Sequence, residues 1–484
     1  MKSINGKIVV VGGGISGLTV AHELVAQGAD VALFEAAPQV GGRIGSEHIG
    51  GFLFEHGPNC LVAPAPAAQA LIDDVGLAHQ TVLRGEAVRH RYLVRDGAVR
   101  SLPMEPYRLL LSDFFSWRAR LRLMAEPFVP PYAGDETIAA FMRRRFGAEF
   151  HDTVMDALVG GLYAGDPEQL SVSAVFPHLK RIESEAGSIT GGLIRNRLRH
   201  GKSGAGNPAT RMLFSFRNGI AQLPVALASG LGQRIHAGHR VESLQLRAGG
   251  GFRLRVEHRG QSRSLDAAAV VLCVPAPTAA RLLAPWQREG SEALAALAHP
   301  PLAVVFLGYR ALDVAHPLDG LGVLAPAREK RGVLGMMFSS TLFAGRAPAG
   351  HVALTAFVGG ARAPELALQK ASMLREQVHE EARQLLGVAR APVLARVRYW
   401  RHGLPQPGLD HAARLEYLGE IESGHPGLFF AGNYRGGVSV ANCIAAAAQL
   451  AERIGDSIRE ISPVSARAPS PAAGTASAAS PAMR

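Results

Sequence analysis

The sequence predicts an α/β fold divided into more than one domain, and three observations carry that prediction. The first is the β-branched run Lys7-Ile8-Val9-Val10-Val11, followed at once by Gly12-x-Gly14-x-x-Gly17. Such an unbroken run is the pattern of a buried parallel strand. The second is the pattern beyond the glycines: Ile15, Leu18, Ala21, Leu24 and Val25 recur at helical spacing, and Gly28 stands where a helix would stop. Val31-Ala32-Leu33-Phe34 is then a second strand closed by Glu35. The third is length, because 484 residues exceed one ordinary core.

Strand, glycine turn, helix, strand and acid form the order of a Rossmann-like dinucleotide unit. Gly12 permits the tight turn, Gly14 lets the backbone approach a pyrophosphate, and Gly17 lets helix pack on strand. Gly13, Ile15 and Ser16 complete the loop at a helix N-terminus, whose N–H groups and dipole favour phosphate. Glu35 comes close to the ~20-residue spacing at which an acid accepts ribose hydroxyls, and its charge disfavours a 2′-phosphate. Gly41-Gly42-Arg43 lies just beyond. A Gly-Gly-Arg segment at that place resembles the flavin amine oxidase-like group, which implies FAD, with Arg43 making charge-assisted hydrogen bonds to the pyrophosphate.

Composition narrows the partners. The net charge of +11 and pI near 10.0 suit an anionic ligand, a lipid surface or nucleic acid. No zinc-finger spacing or aromatic–basic RNA motif is present, so no nucleic-acid partner is expected. Cys60, Cys273 and Cys443 are widely separated, without CxxC, which points to a reducing compartment and away from a disulfide or metal framework. The 18 histidines lack HExxH spacing, so no metal is expected. The N-terminal apolar run is a strand broken by glycines, which does not read as a signal peptide. No window of about 18 unbroken apolar residues exists, so membrane contact is expected to be peripheral.

Along the chain, Gly57-Pro58 reads as a turn whose backbone can lie against a flat ring, and Asn59 and Cys60 follow it. Residues 65–80 read as helical. Residues 88–102 read as a hairpin turning at Asp96-Gly97, with Arg91, Leu93 and Arg95 on one face and Tyr92 and Val94 on the other. Residues 109–162 are mostly helical. Within them, 114–124 mixes large apolar residues with Arg, which suits either a lipid interface or a helix half buried in its own domain. Between His178 and Arg217 there are eight Lys/Arg against two acids, and 200–210 reads as a flexible loop. A helix near 220–230 precedes strands near 234–247, which hold Val241, and near 252–258, and a buried strand near 267–275. Strands come next at 321–326, 333–340, 351–360 and 395–400, with one long helix at 364–386. Finally 427–440 reads strand, then glycine turn with Asn433, Val438, Ser439 and Val440, then a helix at 441–454 whose N-terminus faces the cofactor. The tail after Ile461 is Ser, Pro and Ala and is expected to be disordered.

Several segments together resemble the protoporphyrinogen oxidase family, most of all its plant and bacterial oxygen-dependent form. They are residues 160–167 and 170–177, the hairpin 91–97, Phe338-Ser339-Ser340, Phe357-Val358-Gly359-Gly360 and 432–440. The likeness covers nearly the whole chain up to Ile461. It implies FAD held without a covalent link in a Rossmann-like domain, a mixed-sheet substrate domain and an inserted helical domain. The implied FAD-binding domain is 1–85, 215–275 and 401–461, the substrate domain 86–102, 191–214 and 276–400, and the membrane-associating helical domain 103–190, before the tail 462–484. It implies oxidation of protoporphyrinogen IX to protoporphyrin IX in haem synthesis, with molecular oxygen reduced to hydrogen peroxide. It further implies a homodimer, cytoplasmic and held at the inner face of the membrane, with product handed to ferrochelatase. Gly12 to Gly17, Glu35, Arg43, Gly57, Pro58, Asn59, Cys60, Val241, Asn433 and Val438 to Val440 match the family's FAD contacts. Arg91 matches the Arg that pairs with a substrate propionate, Phe357 the aromatic stacked on a pyrrole, and Leu324 and Met337 the aliphatic clamp. Ala164 stands where plant forms have Gly, a change expected to tighten the cavity.

Read without the family, Arg91 is an ordinary hairpin charge, and Phe357, Leu324 and Met337 are ordinary core. No side chain is assigned as a catalytic acid or base, because the hard chemistry belongs to the flavin. The nearest alternative is oxidation of coproporphyrinogen III, whose four propionates call for more cations. An amine oxidase needs a cage of aromatic rings that is not evident here. A carotenoid desaturase would leave Arg91 without a carboxylate to bind, and a non-catalytic tetrapyrrole carrier would bind FAD without turnover.

Overall fold

The computed structural model describes residues 6–63, 65–103, 106–200 and 212–459. Its organising layer is a five-stranded sheet, ordered Ile235–Ala237, Val31–Glu35, Ile8–Val11, Ala269–Leu272, Leu428–Phe430, with every pair parallel. The first strand is apolar at every position because both of its faces are covered. Ile8 and Val10 pack with Leu18 and Leu24 of the helix Ile15–Ala26 and with Ile444 and Leu450 of the helix Val440–Arg459. Val9 and Val11 face Val241, Leu254, Leu282 and Leu418.

That second face departs from the expected boundary at residue 276. The helices Ala276–Leu283 and Arg288–Ala295 bury Ala280, Leu283 and Leu294 against the five-stranded sheet's own core, so they belong with the nucleotide layer. Two elements there had no clear signal. The strand Gln261–Ala267 is nearly all polar and exists through its pairing with Phe252–His258. The helix His411–Gly424 buries Arg414 in its stripe with Leu418 and Ile421, and Arg414 Nε donates to the Ala293 carbonyl at 2.8 Å.

A seven-stranded mixed sheet forms the second layer, ordered Leu394–Trp400, Leu302–Arg310, His351–Gly359, Gly335–Met337, Gly320–Leu324, His90–Arg95, Ala98–Ser101. Its back is covered by the helix Ala371–Leu386 through Leu374, Val378 and Ala382. The single helix expected over 364–386 is broken. Residues 366–368 form a 3-10 turn, and Gln369 and Lys370 are extended. The break seats Ala367 against Gly359, where a Cβ on Gly359 would lie 2.5 Å from the Ala367 Cβ. At the front, Val304 and Phe306 pack on Phe52 and Phe54 of the hairpin Ser46–Ile49/Phe52–Glu55. Beside this seam Glu55 is buried. It accepts hydrogen bonds from Ser46 Oγ and from the Ile220 N–H (3.0 Å), and lies 3.6 Å from buried Arg346. Arg346 donates in turn to Ser215 Oγ at 2.8 Å and to the Phe216 carbonyl at 3.2 Å.

The third layer is helical, cored by Ile138, Phe141, Met142, Val159 and Leu170. The helix Ile189–His200 packs on Pro177–Ala186, so residues 191–200 belong with these helices and not with the substrate sheet. Buried Glu126 fixes its start, accepting from the Ile189 and Thr190 N–H groups at 2.9 and 3.0 Å, while Arg145 joins Glu126 to Glu183. Residues 114–124 divide between the two readings of the sequence: Phe114 and Phe115 are buried, and Trp117, Leu121 and Met124 are exposed. The expected loop at 201–210 and the tail lie outside the described residues.

Candidate functional site

The glycine loop is shaped by what a side chain would strike. Gly12 has φ +107°, and a Cβ there would lie 2.6 Å from the Cys273 carbonyl oxygen. A Cβ on Gly17 would lie 1.9 Å from the Gly12 oxygen, so helix and strand approach as closely as backbone allows. Gly14 differs, since a Cβ there would meet nothing within 4 Å. Its bare backbone faces open space at the N-terminus of Ile15–Ala26, which is what a pyrophosphate requires. Gly41 N–H donates to the Gly13 carbonyl at 2.8 Å, docking the Gly-Gly-Arg segment against the loop.

Glu35 does more than the sequence suggested. Its carboxylate accepts the Gly13 N–H at 2.6 Å and the Ala37 N–H at 2.7 Å, so it latches the loop and keeps further lone pairs for a ligand. Arg43 Nη2 donates to the His402 carbonyl at 2.6 Å, and burial lowers the pKa of its guanidinium. Asn59 is buried and donates to the Gly57 carbonyl at 2.9 Å. Burial pushes the Cys60 thiol up to about 12, so it is neutral and no nucleophile. Val241 is buried at a register shift in the strand Arg240–Leu246. Ser439 Oγ accepts the Asn442 N–H at 3.1 Å at the start of Val440–Arg459. Because Ile8–Val11 and Leu428–Phe430 run parallel, the helices that follow them both start at the sheet's carboxyl edge. A cradle with one open glycine, two helix N-termini, an acid and a half-buried Arg fits a flavin dinucleotide.

The second half of the site is set by strand register. Leu93 pairs with Leu324, Gly322 with Met337, Gly335 with Phe357, and Phe357 with Val304. Paired residues share a face and alternate residues return to it, so Arg91, Leu324, Met337 and Phe357 stand on one face of the seven-stranded sheet. Further along, that face carries Val304, packed against Phe52 and Phe54 of the 46–55 hairpin. The helix Asp156–Tyr163 crosses it closely, since a Cβ on Gly161 would lie 2.4 Å from Leu324 Cδ2.

Ala164, expected to narrow the cavity, stands at the end of the helix Asp156–Tyr163. It is buried and ends that helix in the left-handed region, φ +48°, with its carbonyl accepting the Ala361 N–H at 2.8 Å. Glycine is favoured here by backbone conformation.

Sequence reasoning missed two neighbours. Arg84 lies near enough for its charge to lower the Arg91 pKa further, after burial, and its N–H donates to the carbonyl of Leu213, which packs in one cluster with Met337. Trp400 pairs with Leu302 on the Phe357 face, and its Nε1 donates to the His56 carbonyl at 2.7 Å. Neither residue lies in a local motif.

The chain matches the model of the flavin containing amine oxidoreductases over residues 15–455. It is 31% identical to protoporphyrinogen oxidase 2 of Arabidopsis thaliana, covering 94% of this chain and 95% of that one. It is also 31% identical to the coproporphyrinogen III oxidase of Propionibacterium freudenreichii, covering 94% and 92%. Among solved structures, a candidate protoporphyrinogen oxidase from Exiguobacterium superposes with TM-score 0.80 at 23% identity, covering 94% and 99%. UDP-galactopyranose mutase superposes with TM-score 0.70 at 16% identity, covering 93% and 94%. These two likenesses speak to the fold.

Proposed function

The chain belongs to the flavin containing amine oxidoreductase family, and from that premise we propose that it oxidises protoporphyrinogen IX to protoporphyrin IX in haem synthesis, using non-covalent FAD and molecular oxygen. The observation that carries this reading is the shared face of Arg91, Leu324, Met337 and Phe357, which continues to Val304 where it packs on Phe52 and Phe54 of the 46–55 hairpin. Bound in the cradle, FAD would supply the redox chemistry as a two-electron acceptor that molecular oxygen reoxidises, giving hydrogen peroxide, over three rounds for the six hydrogens removed.

The chain's own residues bind and orient. Gly12 to Gly17, Glu35, Arg43, Gly57 to Cys60, Val241, Asn433 and Val438 to Val440 hold the cofactor. Arg91 takes a propionate through its planar fork, Phe357 stacks on a pyrrole, and Leu324 and Met337 press the opposite face. Fixing a flexible ring in one orientation supplies the proximity that catalysis needs. No side chain is required to move a proton. The FAD-binding domain is 1–85, 215–297 and 401–459, with the substrate sheet and the helical layer between.

The second reading is coproporphyrinogen III, favoured by Arg84 beside Arg91 as a second cation. Aerobic turnover of both porphyrinogens, followed by porphyrin fluorescence, decides. A higher kcat/KM for the dicarboxylate supports protoporphyrinogen, and a higher value for the tetracarboxylate reverses the assignment.

The same reading places a homodimer at the inner face of the membrane, handing product to ferrochelatase. Exposed Trp117, Leu121 and Met124 lie on the helix Trp117–Met124 and exposed Leu193 and Ile194 on Ile189–His200, both touching the turn Glu126–Phe128 that exposes Phe128, among Arg side chains that suit anionic lipid. No helix among the described residues is long and apolar enough to cross a membrane. Co-sedimentation with anionic vesicles, lost in Trp117→Ser/Phe128→Ser, tests this.

A further inference from the structure

The mechanism above uses no group from the turn that leads into Leu302–Arg310, yet that turn holds a buried imidazole with an unused nitrogen. His299 is 8% exposed. Its Nδ1 lies 2.9 Å from the Leu297 carbonyl oxygen. A carbonyl can only accept, so Nδ1 carries the proton and Nε2 presents a bare lone pair. Nε2 has no hydrogen-bond partner among the described residues. A buried acceptor left without a donor costs about 1–3 kcal/mol, and such groups in folded proteins call for a specific explanation.

The neighbourhood identifies the donor. Gly403 N–H donates to the Pro300 carbonyl at 3.0 Å, and the adjacent His402 carbonyl receives Arg43 Nη2 at 2.6 Å. The His299 turn is therefore tied to the loop that holds the guanidinium of the Gly-Gly-Arg segment. A Cβ on Gly403 would lie 2.3 Å from the Pro300 oxygen, so this tie is a direct backbone contact with no room for a side chain. The charged and titratable groups facing the imidazole are Arg43 and His402. With burial as the larger cause, they hold it neutral, its pKa pushed down to about 4 despite the Leu297 bond. A neutral ring keeps Nε2 an acceptor across the physiological range.

We propose that His299 is a cofactor-positioning residue, whose Nε2 accepts a hydrogen bond from an N–H or O–H of the flavin nucleotide held beside Arg43. This rests on the FAD reading above and adds to it a contact supplied by the turn before the substrate sheet. Two parts of the cofactor carry such donors, the imide N–H of the isoalloxazine and the ribityl hydroxyls.

The test compares His299→Leu, which removes the acceptor, with His299→Gln, whose amide oxygen can reach the position of Nε2. FAD affinity of the apoprotein is read by flavin fluorescence. His299→Leu is expected to weaken binding about tenfold and His299→Gln to restore most of the loss. In wild-type protein carrying 15N-histidine, the Nε2 resonance, assigned by its absence from a variant, should move when FAD is added. If 3-methyl-FAD fails to move it, the donor is the imide N–H; if it moves it as FAD does, the donor is ribityl. Should His299→Leu fail to fold, the wild-type resonance and His299→Gln decide. Wild-type FAD affinity in His299→Leu, with a resonance indifferent to FAD, overturns the proposal alone. A wild-type chain that takes up no FAD overturns this proposal and the FAD reading together.

Discussion

The cradle and the slot are built on opposite plans. The cradle at the carboxyl edge of the parallel sheet is made mostly of backbone: a Cβ on Gly12 or Gly17 would strike main-chain oxygen at 2.6 or 1.9 Å, and the latching groups are N–H donors to Glu35. The slot on the mixed sheet is made of side chains brought together by register, from strands as far apart in sequence as His90–Arg95 and His351–Gly359. Such a backbone site tolerates no side chain at Gly12 or Gly17, where an added atom meets main chain, and at Gly14 only at the expense of the open space left for a ligand. A side-chain site tolerates exchange of shape, because neighbours repack.

The sharpest way to break this contrast is Gly17→Ala. Its methyl has no space, so we expect loss of FAD uptake or of folded protein, read by the yellow flavin absorbance of purified material. An Ala variant that binds FAD normally would mean the cradle is as forgiving as the slot. Next in size is Arg91→Leu. Losing a charged hydrogen bond to a carboxylate costs about 1.5–3 kcal/mol, so KM for the porphyrinogen should rise at least tenfold with the flavin spectrum unchanged. The third concerns pH and bridges the two regions. The folded His299 pKa lies at about 4 against an ordinary 6.5, so the folded state binds fewer protons. Stability of the apoprotein is intact above pH 6.5 and falls as pH drops towards 4, by roughly 3 kcal/mol. Urea melts across that range should show His299→Leu losing less stability than the wild type.

Arg84→Leu comes next and sharpens the slot itself. It should lower kcat/KM for coproporphyrinogen III more than for protoporphyrinogen IX; an equal effect on both would remove Arg84 from carboxylate recognition. The smallest effect is Ala164→Gly. Relieving a left-handed alanine is worth about 1 kcal/mol, offset in part by the freer unfolded chain, so Tm should rise by at most about 1 °C with turnover unchanged.

The same contrast explains what could be read from the chain alone. Gly12 to Glu35 is legible because turn, helix and acid are contiguous and each has a local physical requirement. The hairpin at Asp96-Gly97 is legible for the same reason, both residues having positive φ. Arg84, Trp400 and His299 were invisible because their meaning lies in partners far along the chain: Arg91, His56, and the loop that takes Arg43. The strand Gln261–Ala267 was missed because its polar sequence is overridden by the ladder beside it. Which sheet the helices Ala276–Leu283 and Arg288–Ala295 cover was not legible, because amphipathic helices announce that they bury a face without saying against which sheet.

The pair Glu55–Arg346 sets a rule for motion. It ties the residue 46–55 hairpin, the chain around 215–220 and the approach to His351–Gly359 at one dry point. Prising the two sheets apart there would strand a carboxylate and a guanidinium, at about 3–5 kcal/mol. The hairpin and the mixed sheet are therefore pinned to each other at that point, and any motion that parts them there meets the cost of two stranded charges.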